Sequence, residues 1–571
     1  MCPQFFSKLR GSIIFQTYLS KKETIRMKLD THVSKDLELE TIHTHVPIKT
    51  VWGRTCFTAQ LQEPTDDTRI IKQHQRQLIV FRKVPSICQK VRMELDNIDQ
   101  EAIQSITSNN DQLIDESLSQ IFWKKDAFGS FLNKFPFVLN GLITWKTLVL
   151  PGFAILMPLI ALIVPFVFLN MTSSITTSDY LVHVKHVLLQ QISIPSFLRS
   201  RGSEDRLGFI LESLFIGLTL ATFISSLWNQ IASAMHLRAI WNNVKIQGRA
   251  VLNLVSSSRV VLDALKQLDM KYQRGVRHLI DDGESMFEGV KYLESCDELT
   301  AFGSVWNNHT VIERMTAWIG RIDAVTSIAS LDSICIPVIS KNNQNTNDVE
   351  LYVDKIAHPE LQTCVLNSFH GGQAEAAEVK SHMILTGPNR GGKTTFCRGL
   401  GLAIVTAQSW GFAWAQKMRW TPFTAIFTAL ETNGVLGNMS KFESEIEFAK
   451  TVLGTQGRCF VMMDEIFHST NATDGVAAST VFLRQLYQRR DVISLISTHY
   501  KELAVQFGVS EAKANTPTAS VFQMLAHEKA GGKLEYLYKM APGISETSSV
   551  MEILAERGLL PSVDAAVNES N

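Results

Sequence analysis

A nine-residue segment in the second half of the chain has the residue types and spacing that bind phosphate groups. It follows a short apolar run, residues 383–386, that predicts a buried strand, and it opens a stretch that predicts a helix through residue 403. Glycines let backbone N–H groups close around phosphate oxygens, and a helix N-terminus adds its dipole. The pattern G-x-x-x-x-G-K-T in this context predicts a nucleotide-binding loop, although a chance glycine-rich turn is the alternative. The segment consists of Gly387, Pro388, Asn389, Arg390, Gly391, Gly392, Lys393, Thr394 and Thr395.

Two side chains of this segment have the chemistry to act on a nucleoside triphosphate. The ammonium group of Lys393 would reach the β- and γ-phosphate oxygens of ATP, and the hydroxyl of Thr394 would be a ligand of Mg²⁺. ATP and Mg²⁺ are therefore the expected cofactors.

A pair of carboxylates follows a second apolar run, residues 458–463, of the kind that a strand buried on both faces requires. Asp464 at the end of this strand would hold Mg²⁺ through water, and Glu465 would polarise the attacking water. This pair makes ATP hydrolysis the expected reaction.

A histidine follows a third apolar run, residues 492–496. Because the carboxyl ends of parallel strands meet at one edge of a sheet, His499 should lie beside the other two motifs and contact the γ-phosphate. A single histidine with a purely structural role is the alternative.

Composition limits the class of protein. The 571 residues suggest three or four domains. Lys+Arg and Asp+Glu both total 55, so no overall basic field indicates nucleic acid. The eight cysteines are scattered without a C-x-x-C pair, which suits reduced thiols and argues against zinc. A mean hydropathy of +0.05 indicates that part of the chain faces something other than water.

The most apolar parts of the chain are two runs of residues. Residues 147–178 contain no charged side chain, and residues 148–169 exceed the length of about 20 that spans a bilayer. Residues 209–228 form a second and weaker candidate. Together they predict a two-helix transmembrane hairpin, whereas the alternative is a pair of buried core helices.

The charges around this hairpin predict an orientation. Seven Lys and Arg residues flank it on the side of the chain termini, against four in the connecting loop of residues 179–206. By the positive-inside rule both termini face the cytosol, so we expect an integral membrane protein with two spans and its ATPase in the cytosol. The seven are Lys124, Lys125, Lys134, Lys146, Arg238, Lys245 and Arg249, and the four are Lys185, Arg199, Arg201 and Arg206.

The three motifs resemble, in their residues and spacing, the ATPase domain of the MutS mismatch-repair family. They are residues 386–395, 463–466 and 498–500. The resemblance implies an α/β P-loop NTPase domain of the ABC type, joined to an α-helical core, that binds and hydrolyses ATP as a homodimer or as a heterodimer with a related chain. Residues 438–445 resemble the segment that presents a serine to the partner subunit's nucleotide, which assigns that role to Ser440. A simple helix N-cap is the alternative for this serine.

Family membership would imply mismatch repair and mismatched-DNA binding, but three features lead us to expect altered binding. Fewer than 40 residues precede the core resemblance, too few for the family's mismatch-reading domain, and they contain no Phe-x-Glu wedge. The apolar hairpin lies where the family has a DNA-encircling clamp. The remaining DNA contacts would be weak, sequence-independent contacts to the phosphate backbone.

These features predict six segments and leave two alternative functions open. The alternatives are a nucleotide-switched membrane scaffold with little turnover and another ABC-type ATPase of chromosome maintenance or transport, although no Leu-Ser-Gly-Gly-Gln signature is present. The segments are a polar N-terminus (1–35), the first half of the helical core (36–135), the hairpin (136–237), the second half of the core with lever-like helices (238–345), the ATPase domain (346–515) and a C-terminal extension with a short helical dimerisation segment (516–571).

Overall fold

The computed structural model describes most residues of the chain, and the helices, strands and contacts that follow lie within the described residues. They are 29–108, 135–173, 176–180, 206–272, 275–307, 309–340, 349–361, 363–372, 380–430, 440–508, 518–529 and 533–559, with single positions between them. Several sequence predictions lie outside this set: most of the polar N-terminus, most of the 179–206 loop, the boundary between the predicted core and ATPase segments (341–348), and the charges at Lys124, Lys125, Lys134, Lys185, Arg199 and Arg201.

Helices make up most of the first 330 residues and alternate with strands thereafter. In chain order they are α1 (Thr31–Asp36), α2 (Val51–Leu61), α3 (Thr68–Lys83), α4 (Pro85–Asp96), α5 (Gln100–Ser108), α6 (Pro136–Thr144), α7 (Leu150–Ser173), α8 (Arg206–Tyr272), α9 (Arg277–Val290), α10 (Glu298–Asn307), α11 (His309–Ala329), α12 (Lys393–Ser409), α13 (Lys441–Gly454), α14 (Ala472–Leu486), α15 (Lys501–Gly508) and α16 (Val550–Glu556). A π-helical turn, Trp145–Val149, joins α6 to α7, and short 3₁₀ turns cover Ile42–His45 and Lys291–Ser295.

Ten strands form two sheets. They are β1 (Val338–Ile339), β2 (Glu350–Ile356), β3 (Asn367–Gly372), β4 (His382–Thr386), β5 (Ala415–Trp420), β6 (Ala425–Ala429), β7 (Cys459–Met463), β8 (Val492–Ser497), β9 (Ser520–Glu528) and β10 (Leu534–Pro542). One sheet has the order β1-β5-β2-β3, and the other has the order β10-β9-β4-β8-β7-β6. The mixed α/β architecture that the sequence predicted is therefore present.

The central strands of the larger sheet are parallel and apolar. β4, β7 and β8 are buried along their whole lengths because helices cover both faces of a parallel sheet. β4 pairs with β8, and β8 pairs with β7, in parallel register. Their carboxyl ends consequently meet at one edge, which is where the three sequence motifs lie.

By compactness the described chain divides into two units. The first comprises Met1–Asn97, Ser258–Phe287 and Glu313–Asn571, and the second comprises Ile98–Ser257 and Glu288–Ile312. Both sheets belong to the first unit. The second unit is helical, and the 67-residue helix α8 crosses the division.

A buried carboxylate organises the helical part of the first unit. Asp323 on α11 accepts hydrogen bonds from the backbone N–H of Lys49 (3.2 Å) and of Thr50 (2.6 Å), from the Thr50 hydroxyl (2.7 Å) and from the Ser327 hydroxyl (3.2 Å). Burial raises the pKa of Asp323, and these hydrogen bonds oppose the rise. The interaction fixes the start of α2 against α11.

The second unit contains the apolar runs. Among the described residues, one helix, Pro136–Met157, is long and apolar enough to cross a membrane, and a shorter apolar helix covers Ile163–Thr172. The second predicted span forms the first part of α8. The two-helix transmembrane hairpin remains a prediction.

Candidate functional site

The three sequence motifs converge at the carboxyl edge of the larger sheet. The 387–392 loop joins β4 to α12, Asp464 follows β7, and His499 follows β8 after one further residue. The Thr498 N–H donates a 3.1 Å hydrogen bond to the Leu385 carbonyl, which fixes the end of β8 against β4. The order of strands in the sheet thus brings together residues more than 100 positions apart.

Lys393, the first residue of α12, is the buried cation of this site. Its side chain donates to the carbonyl oxygens of Gly387 (3.0 Å) and Pro388 (3.3 Å) and is 6% exposed. Gly392 precedes it with φ 92°, a conformation that favours glycine, and an added Cβ there would lie 3.1 Å from the Tyr538 ring. Burial lowers the pKa of Lys393, while Asp464 and Glu465 oppose that change. A largely desolvated ammonium group beside a helix N-terminus suits a phosphate ligand.

Two oxygen ligands of the kind that Mg²⁺ prefers lie in contact. The Thr394 hydroxyl donates a 2.5 Å hydrogen bond to Asp464 Oδ2, and the Ser497 hydroxyl contacts Asp464 Oδ1. Hydroxyl and carboxylate oxygens beside the 387–392 loop fit the metal chemistry that the sequence predicted. Sequence reasoning missed Ser497, although its place at the end of β8 was the available signal.

Glu465 and His499 form the second pair. His499 Nε2 lies 3.0 Å from Glu465 Oε1 and 3.5 Å from the Lys393 ammonium nitrogen. The hydrogen bond from His499 lowers the pKa of Glu465 against the opposing effect of burial, so this carboxyl is ionised at neutral pH. Glu465 has φ 55°, the left-handed region that non-glycine residues rarely adopt, and its N–H donates to the Ser497 carbonyl at 3.1 Å. Such strained conformations concentrate at functional sites.

A cavity of about 440 Å³ opens beside these residues. One wall is the 389–395 part of the loop with Glu465, so Asn389, Arg390 and Thr395 line it as well. Apolar and aromatic side chains predominate among the other lining residues, which suits a nucleobase. They include Ile356, His358, Leu361, Val365, Phe396 and Tyr538, together with the polar Thr363 and Asn367.

Ser440 is the N-cap residue immediately before α13. Its hydroxyl accepts a 3.2 Å hydrogen bond from the Glu443 N–H, and the Glu443 carboxylate accepts one of 2.8 Å from the Ser440 N–H. This capping box is the alternative that the sequence left open. Within the described residues no hydrogen bond joins Ser440 to Lys393, Asp464 or Glu465, and its role toward a partner's nucleotide stays a prediction.

The loop after Glu465 contains a histidine to which the sequence assigned no role. His468 Nδ1 lies 2.7 Å from the Glu465 carbonyl oxygen and 3.5 Å from Glu445 Oε1 on α13. It thereby connects the backbone of Glu465 with the helix that Ser440 caps. The available signal was its position three residues after Glu465.

The 387–392 loop contacts the last helix of the described chain, α16. Arg390 forms a 2.6 Å ion pair with Glu556 on α16. Both side chains are more than 40% exposed, so the pair positions the segment more than it stabilises the fold. No sequence motif indicated this contact.

Comparison with known proteins agrees with this geometry. Residues 383–570, which include the 387–392 loop, Asp464, Glu465 and His499, match MutS domain V. Over these residues the chain is similar to the MutS family.

The relatives in this family are distant and longer. DNA mismatch repair protein MutS of Thermotoga maritima is 26% identical over 312 residues, which are 54% of this chain and 36% of the relative. DNA mismatch repair protein MSH2 of Arabidopsis thaliana is 26% identical over 265 residues, 45% of this chain and 28% of the relative. The chain therefore spans about a third of the length of the MutS-family proteins it matches.

Proposed function

We propose that this chain, as a member of the MutS family, binds ATP with Mg²⁺ and hydrolyses it. The convergence of Lys393, Thr394, Asp464, Glu465 and His499 within hydrogen-bonding contact at one sheet edge is the observation that carries the proposal. The match to MutS domain V favours this family's ATPase over another ABC-type ATPase.

In the proposed hydrolysis each of these residues has a separate role. Lys393 neutralises phosphate charge, while Thr394 and Asp464 hold Mg²⁺, which when bound neutralises the developing charge on the phosphates. A carboxylate whose pKa is lowered is a weak base, so Glu465 orients the attacking water more than it deprotonates it. His499 holds the Glu465 side chain through their 3.0 Å contact.

Two variants of the full chain separate binding from turnover. Lys393→Ala should abolish ATP binding because it removes the buried cation, whereas Glu465→Gln should keep binding and slow phosphate release by about 100-fold or more. Nucleotide affinity and steady-state phosphate release are measured for each. Lys417→Ala and Glu502→Gln make the same chemical changes at exposed positions and should behave as wild type.

The outcomes distinguish the alternatives. Phosphate release that is readily measured and equal in wild type and Glu465→Gln would remove Glu465 from the water-orienting role. Tight ATP binding with phosphate release no faster than the uncatalysed background in wild type would favour the nucleotide-switched scaffold.

We further propose that the chain is anchored in a membrane by two helices with its ATPase in the cytosol. Large apolar side chains on α7, on the turn before it and on the first part of α8 are exposed, which argues against the alternative of buried core helices. Trp145 and Trp228, 52% and 70% exposed, lie at the ends of the two runs, where aromatic residues meet a bilayer interface. The exposed set includes Leu148, Phe153, Leu156, Ile163, Phe168, Leu214, Leu218 and Ile224.

Membrane anchoring is tested without reference to ATP. Alkaline carbonate should leave the protein in the membrane pellet, and protease protection should place both termini on one side. Release by carbonate, or termini on opposite sides, would contradict the two-span anchor.

The proposed partners are a second subunit and, weakly, DNA. We propose a homodimer, or a heterodimer with a related chain, in which Ser440 contributes to the nucleotide site of the partner. The relatives are named for DNA mismatch repair. With equal numbers of positive and negative residues, this chain would contact DNA weakly and only through its phosphate backbone.

A further inference from the structure

An open cleft of about 670 Å³ lies within the second unit, between the start of α7 and the middle of α8. α7 and the turn before it contribute Lys146, Leu150 and Pro151. The remaining lining comes from α8: Thr222, Ser225, Ser226, Asn229, Gln230, Ser233, Ala234 and Leu237.

The α8 wall is a polar stripe in an otherwise apolar segment. Six hydroxyl or amide side chains recur at spacings of three and one, so they share one face of the helix: Thr222, Ser225, Ser226, Asn229, Gln230 and Ser233. Polar groups are costly in hydrocarbon, so a row of them on one helix face indicates that this face meets water or polar headgroups.

The level of the cleft coincides with the ends of the apolar runs. Trp145 adjoins Lys146 at the start of the first run, and Trp228 adjoins Asn229 at the end of the second. Both tryptophans are exposed, and exposed tryptophans at the ends of apolar runs indicate a membrane–water interface. Residues 145–149 form a π-helical turn, a distortion that recurs at functional sites.

The charge of the cleft is positive. Lys146 lines it, Arg238 is exposed one helical turn beyond Ala234, and none of the described lining residues is acidic. A cation with several hydroxyl and amide donors matches the phosphate of a lipid headgroup, and basic pockets between membrane helices on the cytoplasmic side bind such headgroups.

We propose that this cleft binds the phosphate of an anionic phospholipid in the cytosolic leaflet. The proposal rests on the membrane anchor proposed above. Lys146 pairs with the phosphate, the stripe donates hydrogen bonds to the headgroup, and the exposed apolar faces of α7 and α8 contact the acyl chains.

The test uses the full chain in detergent and native mass spectrometry. Phosphatidylglycerol and phosphatidylcholine are titrated separately, and inorganic phosphate is added as a competitor. Wild type should bind one phosphatidylglycerol at least about fivefold more tightly than phosphatidylcholine, and Lys146→Gln should remove that preference. Lys245→Gln, the same change on α8 outside the cleft lining, should keep it.

Three results would overturn the proposal: equal affinity for the two lipids, an unchanged preference in Lys146→Gln, or inorganic phosphate displacing phosphatidylglycerol at equal concentration. The last result would identify free phosphate as the ligand. Because the titration is made in detergent, failure of the anchor appears separately as release by carbonate.

Discussion

The Thr394 hydroxyl and Asp464 Oδ2 are joined by a hydrogen bond of 2.5 Å, although 70 positions separate the two residues in the chain. Thr394 lies in the first turn of α12, and Asp464 follows β7, two strands away from β4 in the sheet. In the proposed function, their contact is the place where Mg²⁺ would meet the 387–392 loop.

This contact makes the metal dependence of hydrolysis a direct test of Asp464. Asp464→Asn keeps an oxygen acceptor for Thr394 but removes the negative charge that attracts Mg²⁺. We expect the Mg²⁺ concentration for half-maximal hydrolysis to rise at least about tenfold, as measured by metal titration of phosphate release. Asp354→Asn is the matched control, because the Asp354 carboxylate accepts a hydrogen bond from the Ser368 hydroxyl in the smaller sheet. It should leave the Mg²⁺ titration unchanged. An unchanged titration in Asp464→Asn would exclude this residue as a metal ligand.

The pair of His499 and Glu465 predicts a change in pH dependence. Glu465 must be ionised to orient water, and the hydrogen bond from His499 lowers its pKa. Replacing His499 by Ala removes this effect, so activity should be lost at a higher pH on acidification than in wild type. His499→Gln keeps an N–H donor and should restore part of the difference. The measurement is the acid limb of the phosphate-release profile, and coincident acid limbs in wild type and His499→Ala would contradict the coupling.

Ser440 predicts complementation between two inactive chains. If each site combines Lys393 of one subunit with Ser440 of the other, a mixed dimer of Lys393→Ala and Ser440→Ala chains keeps one intact site. Partial recovery of phosphate release is expected on mixing.

The N-cap of α13 requires its own control. Ser440→Ala also loses the capping hydrogen bond, worth about 1 kcal/mol, whereas Ser440→Thr keeps both the cap and the hydroxyl and should remain active. No recovery in mixed dimers verified by two affinity tags would show self-contained sites.

The buried Asp323 predicts a loss of stability unconnected with nucleotide. Asp323→Ala leaves the N–H groups of Lys49 and Thr50 without their acceptor, so the folded state should lose about 3 kcal/mol. Asp323→Asn keeps one acceptor oxygen and should lose less. Thermal unfolding in the same detergent buffer is measured, with the exposed Asp332→Ala expected to match wild type. Equal midpoints for Asp323→Ala and wild type would disprove this structural role.

DNA binding is predicted to be weak and indifferent to mismatches. Contacts from lysines and arginines to phosphates fade with salt and carry no sequence information. Titration of the full chain with a homoduplex and a mismatched duplex at two salt concentrations should give the same affinity for both. A tenfold preference for the mismatch, about 1.4 kcal/mol, would show that the chain recognises lesions.

Much of the site could be predicted from the sequence because its signals are local. The apolar runs before Gly387, Asp464 and Ser497 form buried parallel strands, since a strand covered on both faces must be apolar throughout. The loop glycines and Lys393 depend on spacing within nine residues, which the chain displays directly. Mixed α/β sheets were predictable for the same reason.

Only the tertiary structure decided which distant side chains meet. Three features join segments that are far apart in the chain, and nothing in the sequence indicates that these segments meet. They are the contact of Ser497 with Asp464, the ion pair of Arg390 with Glu556, and the cleft lined by Lys146 and Asn229. Strand order and helix packing set these pairings, because a side chain interacts only over the few ångströms that the assembled fold brings within reach.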